Sequence, residues 1–229
     1  MGQGICFIDL KVKRNSNMKA LIIGATGATG KDLIQILLRD PDYTKVVIFV
    51  RRSVGMVHPK LSEIITDFDQ VEEVFGHIKG DVLFSCLGTT LKAAGSKDKQ
   101  WHIDYEIPSK FAALARKNGV AKIVLLSAYG AAATSSVFYS QLKGKLEDKI
   151  SGLAFGQYII FRPGLLLRKN TDRTGERVTA GILTFLNGLG MIRKFRPLPT
   201  STLAEKLARS PKVFGAGKHV IELDKIFGL

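Results

Sequence analysis

Three side chains have types and spacings suited to transferring a proton. Tyr139 and Lys143 are four residues apart, so a helix would place the phenol and the ammonium on one face. Ser127 precedes the tyrosine by twelve residues and ends an apolar, strand-like run. A free phenol has a pKa of about 10, which a neighbouring cation lowers toward neutral pH. The three residues predict reduction of a carbonyl group, with Tyr139 as the acid, Lys143 lowering its pKa and Ser127 donating to the oxyanion.

The same spacing has a purely structural interpretation. A half-buried tyrosine often packs beside the aliphatic stem of a lysine on an ordinary helix. Tyr129 is closer to Ser127 in sequence, but one helical turn further on it meets Ala133 and lacks a cationic neighbour. We therefore select Tyr139, and the packing alternative stays open at this point.

A glycine-rich turn predicts where the hydride-carrying cofactor binds. The apolar run Lys19–Ile23 leads into this turn, and a helical pattern from Leu33 to Leu38 follows it. Glycines at this spacing permit a sharp turn and a close approach to a pyrophosphate, which a helix N-terminus attracts. An ordinary strand-to-helix turn is the alternative. The predicted cofactor contacts in this turn are Gly24, Thr26, Gly27, Ala28, Thr29 and Gly30.

Arg51 and Arg52 directly follow the second strand-like run, Val46–Val50. A protein that binds NAD usually has an acid there for the ribose 2′-hydroxyl, whereas cations favour a 2′-phosphate. The pair predicts NADP(H) in preference to NAD(H), unless both side chains are merely solvated loop cations. After the third strand, Asp67 and Phe68 are candidates for the adenine, and Asp67 is equally suited to cap a helix beginning near Val71.

Strand and helix patterns alternate after Met18, which predicts an α/β fold: a Rossmann-type, doubly wound parallel sheet with helices on both faces. We expect one domain over residues 18–229, preceded by an extension over residues 1–17. From Pro163 onward the chain reads as loop-rich, and residues 163–215 mainly form a small substrate-side region. The predicted strands are Ala20–Gly24, Val46–Val50, Ser62–Thr66, Val82–Ser85, Lys122–Ser127 and Tyr158–Arg162. The predicted helices are Gly30–Leu38, Val71–His77, Trp101–Asn118, Val137–Ile150 and Thr179–Leu186.

Composition excludes several classes of protein. With 229 residues, 24% of them charged, the chain suits a globular domain, and no apolar run is long enough for a transmembrane helix. Two cysteines give no disulfide framework, so we expect a cytoplasmic protein that binds no metal. Leu165–Leu167 and Phe185 fit an apolar substrate wall or simple core packing.

The formal net charge of +14 predicts attraction to anions without identifying them. No nucleic-acid-binding motif accompanies the charge, so we expect no nucleic-acid partner. A basic surface without a specific role explains it equally well. The late basic residues are Arg162, Arg168, Lys169, Arg173, Arg177, Arg193, Lys194, Arg196, Lys206, Arg209 and Lys212.

Taken together, these motifs resemble the atypical branch of the short-chain dehydrogenase/reductase superfamily, and more narrowly the oxidoreductase family that includes the Tat-interacting protein. The resemblance spans roughly residues 18–214. Besides the glycine turn, it is carried by Thr66-Asp-Phe68, Ser85-Cys-Leu-Gly-Thr-Thr90 with Ala94-Gly95, Trp101-His-Ile-Asp104, Tyr139-Ser-Gln-Leu-Lys-Gly-Lys-Leu-Glu147 and Phe161-Arg-Pro-Gly-Leu-Leu-Leu167.

The resemblance implies an NADP-binding Rossmann fold with a Ser/Tyr/Lys site. By position, Leu87 and Gly88 would lie along the cofactor, Lys143 would hold the nicotinamide ribose, and Pro163-Gly164 would border the nicotinamide. Two departures concern turnover more than binding. Ser127-Ala128 stands where the family often has a serine pair, and Asp104 lies near the place of the usual tetrad asparagine.

Two functions follow from these residues. The first is an NADPH-dependent reductase of a small carbonyl compound, with the alcohol as its product. The second is an NADP-binding regulatory module with little or no turnover that controls a protein partner. A homodimer is compatible with either function.

Overall fold

The computed structural model describes residues 17–167 and 195–229, and its centre is a sheet of seven parallel strands. The strands are β1 Met18–Ile23, β2 Tyr43–Val50, β3 Leu61–Ile65, β4 Val82–Ser85, β5 Lys122–Leu126, β6 Gln157–Arg162 and β9 Gly217–Glu222, with a separate two-strand ladder of β7 Leu166–Leu167 and β8 Leu198–Pro199. The helices are α1 Ala28–Arg39, α2 Leu91–Ala94, α3 Lys97–Trp101, α4 Ile107–Lys117, α5 Phe138–Ser151 and α6 Thr200–Val213. Two 3-10 segments, Phe68–His77 and Leu223–Gly228, and one π-helical turn, His102–Glu106, complete the described elements.

The strand order is β3-β2-β1-β4-β5-β6-β9, which confirms the predicted Rossmann-type, doubly wound sheet. Both faces of the sheet are covered, because alternate residues of β1 enter different cores. Ile22 packs in the core that contains Leu33 of α1 and Leu203 of α6. Leu21 packs in the core that contains Phe111 of α4. The order reverses between β1 and β4, and a ligand crevice forms at such a reversal in open parallel sheets.

The predicted helix Trp101–Asn118 is interrupted in the structure. A π-helical turn over His102–Glu106 separates α3 from α4, and Pro108, which has no backbone N–H, lies in the first turn of α4 directly after it. The segment predicted as the helix Val71–His77 is instead a 3-10 segment that begins at Phe68, with a kink at Gln70.

The prediction of a loop-rich chain after Pro163 is wrong for residues 200–222, which form α6 and the edge strand β9. Several residues of the edge strand β9 are exposed to solvent. Its sequence therefore does not have the continuous apolar run that predicted the central strands. Tertiary contacts hold α6 in place: the Tyr43 hydroxyl donates to the Ala208 carbonyl at 2.8 Å, and Thr200 Oγ1 donates to Asp32 Oδ2 at 2.7 Å.

Several of the late basic residues have structural partners. Lys212 lies 2.6 Å from Asp40 and 2.9 Å from Asp42, while Lys206 and Arg209 donate to the Leu229 backbone oxygen. No helix within residues 17–167 and 195–229 combines the length and apolarity needed to cross a bilayer. The predictions that lie outside the described residues concern the extension over residues 1–16, the helix Thr179–Leu186, Phe185, Arg168, Lys169, Arg173, Arg177, Arg193 and Lys194.

Helix α5 approaches the preceding loop closely because it has a glycine at the contact. A Cβ atom on Gly144 would lie 2.2 Å from the Ala132 carbonyl carbon and 2.2 Å from the Ala133 nitrogen. The Ala132 amide also donates to the Ser140 carbonyl at 3.1 Å. This contact fixes the first two turns of α5 against the loop.

We expect Gly144→Ala to lower the free energy of unfolding by at least about 2 kcal/mol, since backbone atoms cannot yield to the added methyl group. Gly152→Ala is the matched control: its Cβ would lie 3.5 Å from the Lys149 carbonyl oxygen, an ordinary contact. Urea unfolding of both variants measures the difference. Equal stability of the two variants would contradict the close packing of α5.

The π-helical turn is held from outside by a histidine between two carboxylates. His102 Nδ1 lies 2.8 Å from Glu106 Oε2 and its Nε2 lies 2.6 Å from Asp69 Oδ1. Glu106, and to a lesser extent Asp69, raises the pKa of His102 above its ordinary value, although burial opposes the shift. The ring therefore donates from both nitrogens when it is protonated.

This cluster predicts a small pH dependence of stability. Because the folded pKa is the higher one, the contribution is fully present below the unfolded pKa of about 6.5 and is lost as pH rises through the folded value. The effect is small, since all three side chains are substantially exposed. Thermal unfolding of wild type and His102→Gln between about pH 5 and pH 9 should show curves that converge at high pH. A constant gap across that range would rule the histidine charge out as the cause.

Candidate functional site

A cleft of about 660 Å³ lies at the carboxyl ends of the central strands. This volume is within the usual range for sites that bind small molecules and cofactors. Its lining combines the glycine turn, the loops after β4 and β5 and the start of α5. The lining residues are Gly27, Ala28, Thr29, Cys86, Leu87, Gly88, Thr89, Thr90, Leu91, Ala93, Lys97, Gln100, Leu126, Ser127, Val137, Phe138, Tyr139, Lys143 and Leu166.

The glycine turn brings the N-terminus of α1 to the cleft wall. Gly24 has φ 79°, and a Cβ there would lie 2.4 Å from the Cys86 carbonyl carbon, so this position shapes the turn. Gly30 does the same for the helix, since its Cβ would lie 2.2 Å from the Gly24 oxygen. Gly27 caps α1 without any side-chain hydrogen bond, which leaves the first N–H groups of the helix available. Such a terminus fits the pyrophosphate of a dinucleotide.

The predicted cofactor residues therefore divide into two groups. Gly27, Ala28 and Thr29 line the cleft. Gly24 and Gly30 build the turn beneath them, and Thr26 is exposed. The close contact between Gly30 and the turn is the reason why a glycine is needed at the start of the helix.

Lys143 and Tyr139 lie on one face of α5, as their spacing predicts. Lys143 is only 1% exposed, and its Nζ lies 5.7 Å from the centroid of the Tyr139 ring and 3.4 Å from the Leu87 carbonyl oxygen. Tyr139 is 38% exposed and borders the cleft. The rival Tyr129 packs edge to face on Phe195, at 5.5 Å between ring centroids, and does not line the cleft.

Asp104 provides the opposite charge for the buried lysine. Its Oδ2 lies 4.0 Å from Lys143 Nζ, while its Oδ1 accepts the Thr89 N–H at 2.8 Å. Oδ2 has no hydrogen-bond partner within the described part of the chain, and the residue is fully buried. Burial raises the pKa of Asp104, and the Lys143 ammonium opposes this shift. The π-helical turn places this carboxyl near Lys143, which sequence spacing alone did not establish.

Ser127 has a partner that the sequence analysis missed. Its hydroxyl is 2.5 Å from Glu147 Oε1, and Arg162 binds both oxygens of that carboxylate. The donor role predicted for Ser127 therefore needs a proton that this structure directs to Glu147. The sequence did contain a signal, because Tyr139, Lys143 and Glu147 follow each other at intervals of four on one helix face.

The residues predicted to contact the adenosine end and the nicotinamide lie in different environments. Arg51 and Arg52 are exposed and have no ion-pair partner within residues 17–167 and 195–229. Asp67 accepts from the Asp69 N–H at 3.0 Å, which matches its capping alternative. Phe68 is 8% exposed and packs in the core, so little of its ring is free for an adenine.

Leu87 and Gly88 line the cleft beside Lys143. Pro163 is buried, its carbonyl accepts from the Tyr129 N–H at 3.0 Å, and Gly164 lies against Leu223; neither lines the cleft. Burial raises the pKa of the Cys86 thiol to about 12. No group of three or more possible metal ligands occurs in the segments that the structure describes.

Comparison with known proteins agrees with this geometry. A family model described as NAD(P)H-binding matches residues 24–189. The chain is 35% identical to protein FMP52-1, mitochondrial, of Scheffersomyces stipitis over 178 residues, covering 75% of this chain and 78% of the relative. It is 36% identical to protein HTATIP2 of Rattus norvegicus over 165 residues, covering 70% and 68%. Among solved structures, MoeE5 in complex with UDP-glucuronic acid and NAD superposes with a TM-score of 0.69 at 15% identity, covering 90% of this chain and 76% of that one.

These comparisons correct one expectation and establish the family. The FMP52 relatives are named mitochondrial, which contradicts the expected cytoplasmic location. The family model identifies an NAD(P)H-binding domain, and the solved structure shares the fold of this chain. With the glycine turn, the parallel sheet and the family match in agreement, the chain belongs to the NAD(P)H-binding family and, within it, to the atypical group of proteins related to short-chain dehydrogenases that also contains FMP52 and HTATIP2.

Proposed function

We propose that the protein is an NADPH-dependent reductase of a small carbonyl compound. The observation that carries this proposal is a single cleft lined by the uncapped N-terminus of α1 and by Tyr139 with the buried Lys143. Bound NADPH would supply the hydride. The chain must then hold the cofactor, orient the carbonyl and deliver one proton to its oxygen.

Tyr139 is the proton donor in this proposal. The Lys143 ammonium favours the phenolate that remains after the proton leaves. Lys143 is well suited to this role because its exposed fraction is only 1%, so water screens its charge weakly. Asp104 pairs with the buried ammonium at 4.0 Å, and Leu87 accepts from it at 3.4 Å, so lysine N–H donors remain for the cofactor ribose and the phenol.

Several large apolar side chains contribute to the lining of the cleft. Leu91, Val137, Phe138 and Leu166 line it, and the ammonium of Lys97 lies 5.5 Å from the centroid of the Phe138 ring. This lining suits a carbonyl compound with an apolar body. Ser127 would lie beside the substrate oxygen, and Tyr139 would be its principal donor.

One observation favours the second function, an NADP-binding module with little turnover. The Ser127 hydroxyl is 2.5 Å from Glu147, so the donor expected for the oxyanion is already engaged. A protein that binds the cofactor and turns over slowly would keep the glycine turn and the two arginines, Arg51 and Arg52. Its function would not depend on Tyr139.

The first test concerns the cofactor. The double variant Arg51→Ala/Arg52→Ala should bind NADPH at least about tenfold more weakly than wild type and bind NADH with unchanged affinity. The reason is that two guanidinium groups on a phosphate contribute more than ~1.4 kcal/mol to binding. Isothermal titration calorimetry measures both affinities. Arg39→Ala/Lys45→Ala removes the same charge from exposed positions in another part of the fold and controls for the general attraction of a +14 protein. Equal affinities of wild type for NADPH and NADH would refute the role of the arginines.

The second test concerns the acid. In a screen of aldehydes, ketones and quinones with NADPH, Tyr139→Phe should lower kcat by about 10²- to 10⁴-fold, because it removes the proton donor. NADPH affinity should stay within about twofold of wild type. Tyr129→Phe is the matched control and should keep wild-type kcat. Unchanged turnover in Tyr139→Phe would exclude this phenol as the acid, and no turnover on any substrate would favour the binding module.

A further inference from the structure

Four side chains connect α5 to the carboxyl ends of three strands behind the cleft wall. Ser127 follows β5, Glu147 lies on α5, Arg162 ends β6 and Glu222 ends β9. The Arg162 guanidinium donates from Nε and Nη2 to the two oxygens of Glu147, at 3.0 and 2.5 Å, and from Nη1 to Glu222 at 2.7 Å. Glu147 is 2% exposed, whereas the side chains of Arg162 and Glu222 are 23% and 37% exposed, so the network runs from a buried carboxylate to a partly exposed one.

The network determines where the hydroxyl hydrogen of Ser127 points. Arg162 donates to both oxygens of Glu147, which is the bidentate geometry of an arginine–carboxylate ion pair. An ionised carboxylate only accepts hydrogen bonds, so the hydrogen between the two side chains belongs to Ser127. A serine hydroxyl has one hydrogen and two lone pairs. With the hydrogen directed at Glu147, Ser127 presents only lone pairs to the cleft that it lines.

We propose that Glu147 is a positioning residue that takes the hydroxyl hydrogen of Ser127 and so makes Ser127 a hydrogen-bond acceptor within the cleft. This inference deepens the proposed function and rests on it for its chemical consequence. A carbonyl oxygen has no hydrogen to give, so it accepts from Tyr139 and gains nothing from Ser127. In the complex in which Tyr139 carries its proton, the corresponding alcohol accepts from the phenol and also donates to Ser127. The site therefore binds the alcohol state more tightly than the carbonyl state.

This role differs from the donor role predicted from the sequence, and it also differs from a merely structural ion pair. Glu222 provides the contrast. It is bound by the same guanidinium, yet it has no contact with Ser127. Glu147→Gln and Glu222→Gln therefore make the same change on either side of Arg162, and only the first one affects the serine.

Proton NMR of the purified full-length chain tests the hydrogen position. Wild type should show a downfield hydroxyl signal in slow exchange with water, assigned to Ser127 by its loss in Ser127→Ala. Glu147→Gln should abolish the signal or speed its exchange at least about tenfold, since a neutral amide accepts more weakly than a carboxylate. Glu222→Gln should keep it. No such signal in wild type, or the same response in both glutamine variants, would overturn the proposal.

A neutron structure of wild type gives the same answer if Glu147→Gln does not fold. A deuterium atom on Ser127 directed at Glu147 supports the proposal, and one directed into the cleft refutes it.

The consequence for the ligand is tested with whichever ketone and alcohol pair the turnover screen identifies. Ser127→Ala should weaken binding of the alcohol about three- to tenfold, which corresponds to the loss of one hydrogen bond. It should weaken binding of the ketone by less than about twofold. Equal weakening of both, or greater weakening of the ketone, would overturn the acceptor role. If no pair is turned over, the reductase proposal fails while the hydrogen position is still decided by NMR, so the two failures are distinguishable.

Discussion

The site depends on one ammonium group buried inside the protein. Lys143 is 1% exposed, and burying an unpaired charge at such a position would destabilise the fold. Two features prevent this. The Leu87 carbonyl lies 3.4 Å away and Asp104 lies 4.0 Å away. Both groups belong to the segment between β4 and α4, so this one segment supplies the electrostatic environment of a lysine on α5.

A second constraint acts at the other end of the same helix face. Glu147 holds the hydroxyl after β5 and the guanidinium that ends β6, and that guanidinium in turn reaches β9. Together with the contact at Gly144, this arrangement fixes α5 relative to the sheet along much of its length. The phenol, the ammonium and the carboxylate therefore lie on one helix that packing and charge hold in place, as a preorganised site requires.

The sequence predicted the elements that obey a strong local rule. Buried parallel strands such as β1 and β2 are continuous apolar runs, and the glycine turn has a defined spacing, so both were found. The edge strand β9 and helix α6 were missed because their signals are weak alone and their stability comes from distant partners such as Tyr43. The pairing of Asp104 with Lys143 depends on a π-helical turn, which periodicity does not predict. The bond between Ser127 and Glu147 joins residues from different elements, which only the folded chain brings together.

Cys86 lines the cleft, and the protonation of its thiol affects how it reacts with electrophiles. Many aldehydes and quinones are electrophiles that add to sulfur, and the species that attacks them is the thiolate. Cys86 lines the cleft, but with a pKa raised to about 12 it stays protonated under ordinary conditions. An electrophile lying above it would meet the neutral thiol, which is a poorer nucleophile than the thiolate.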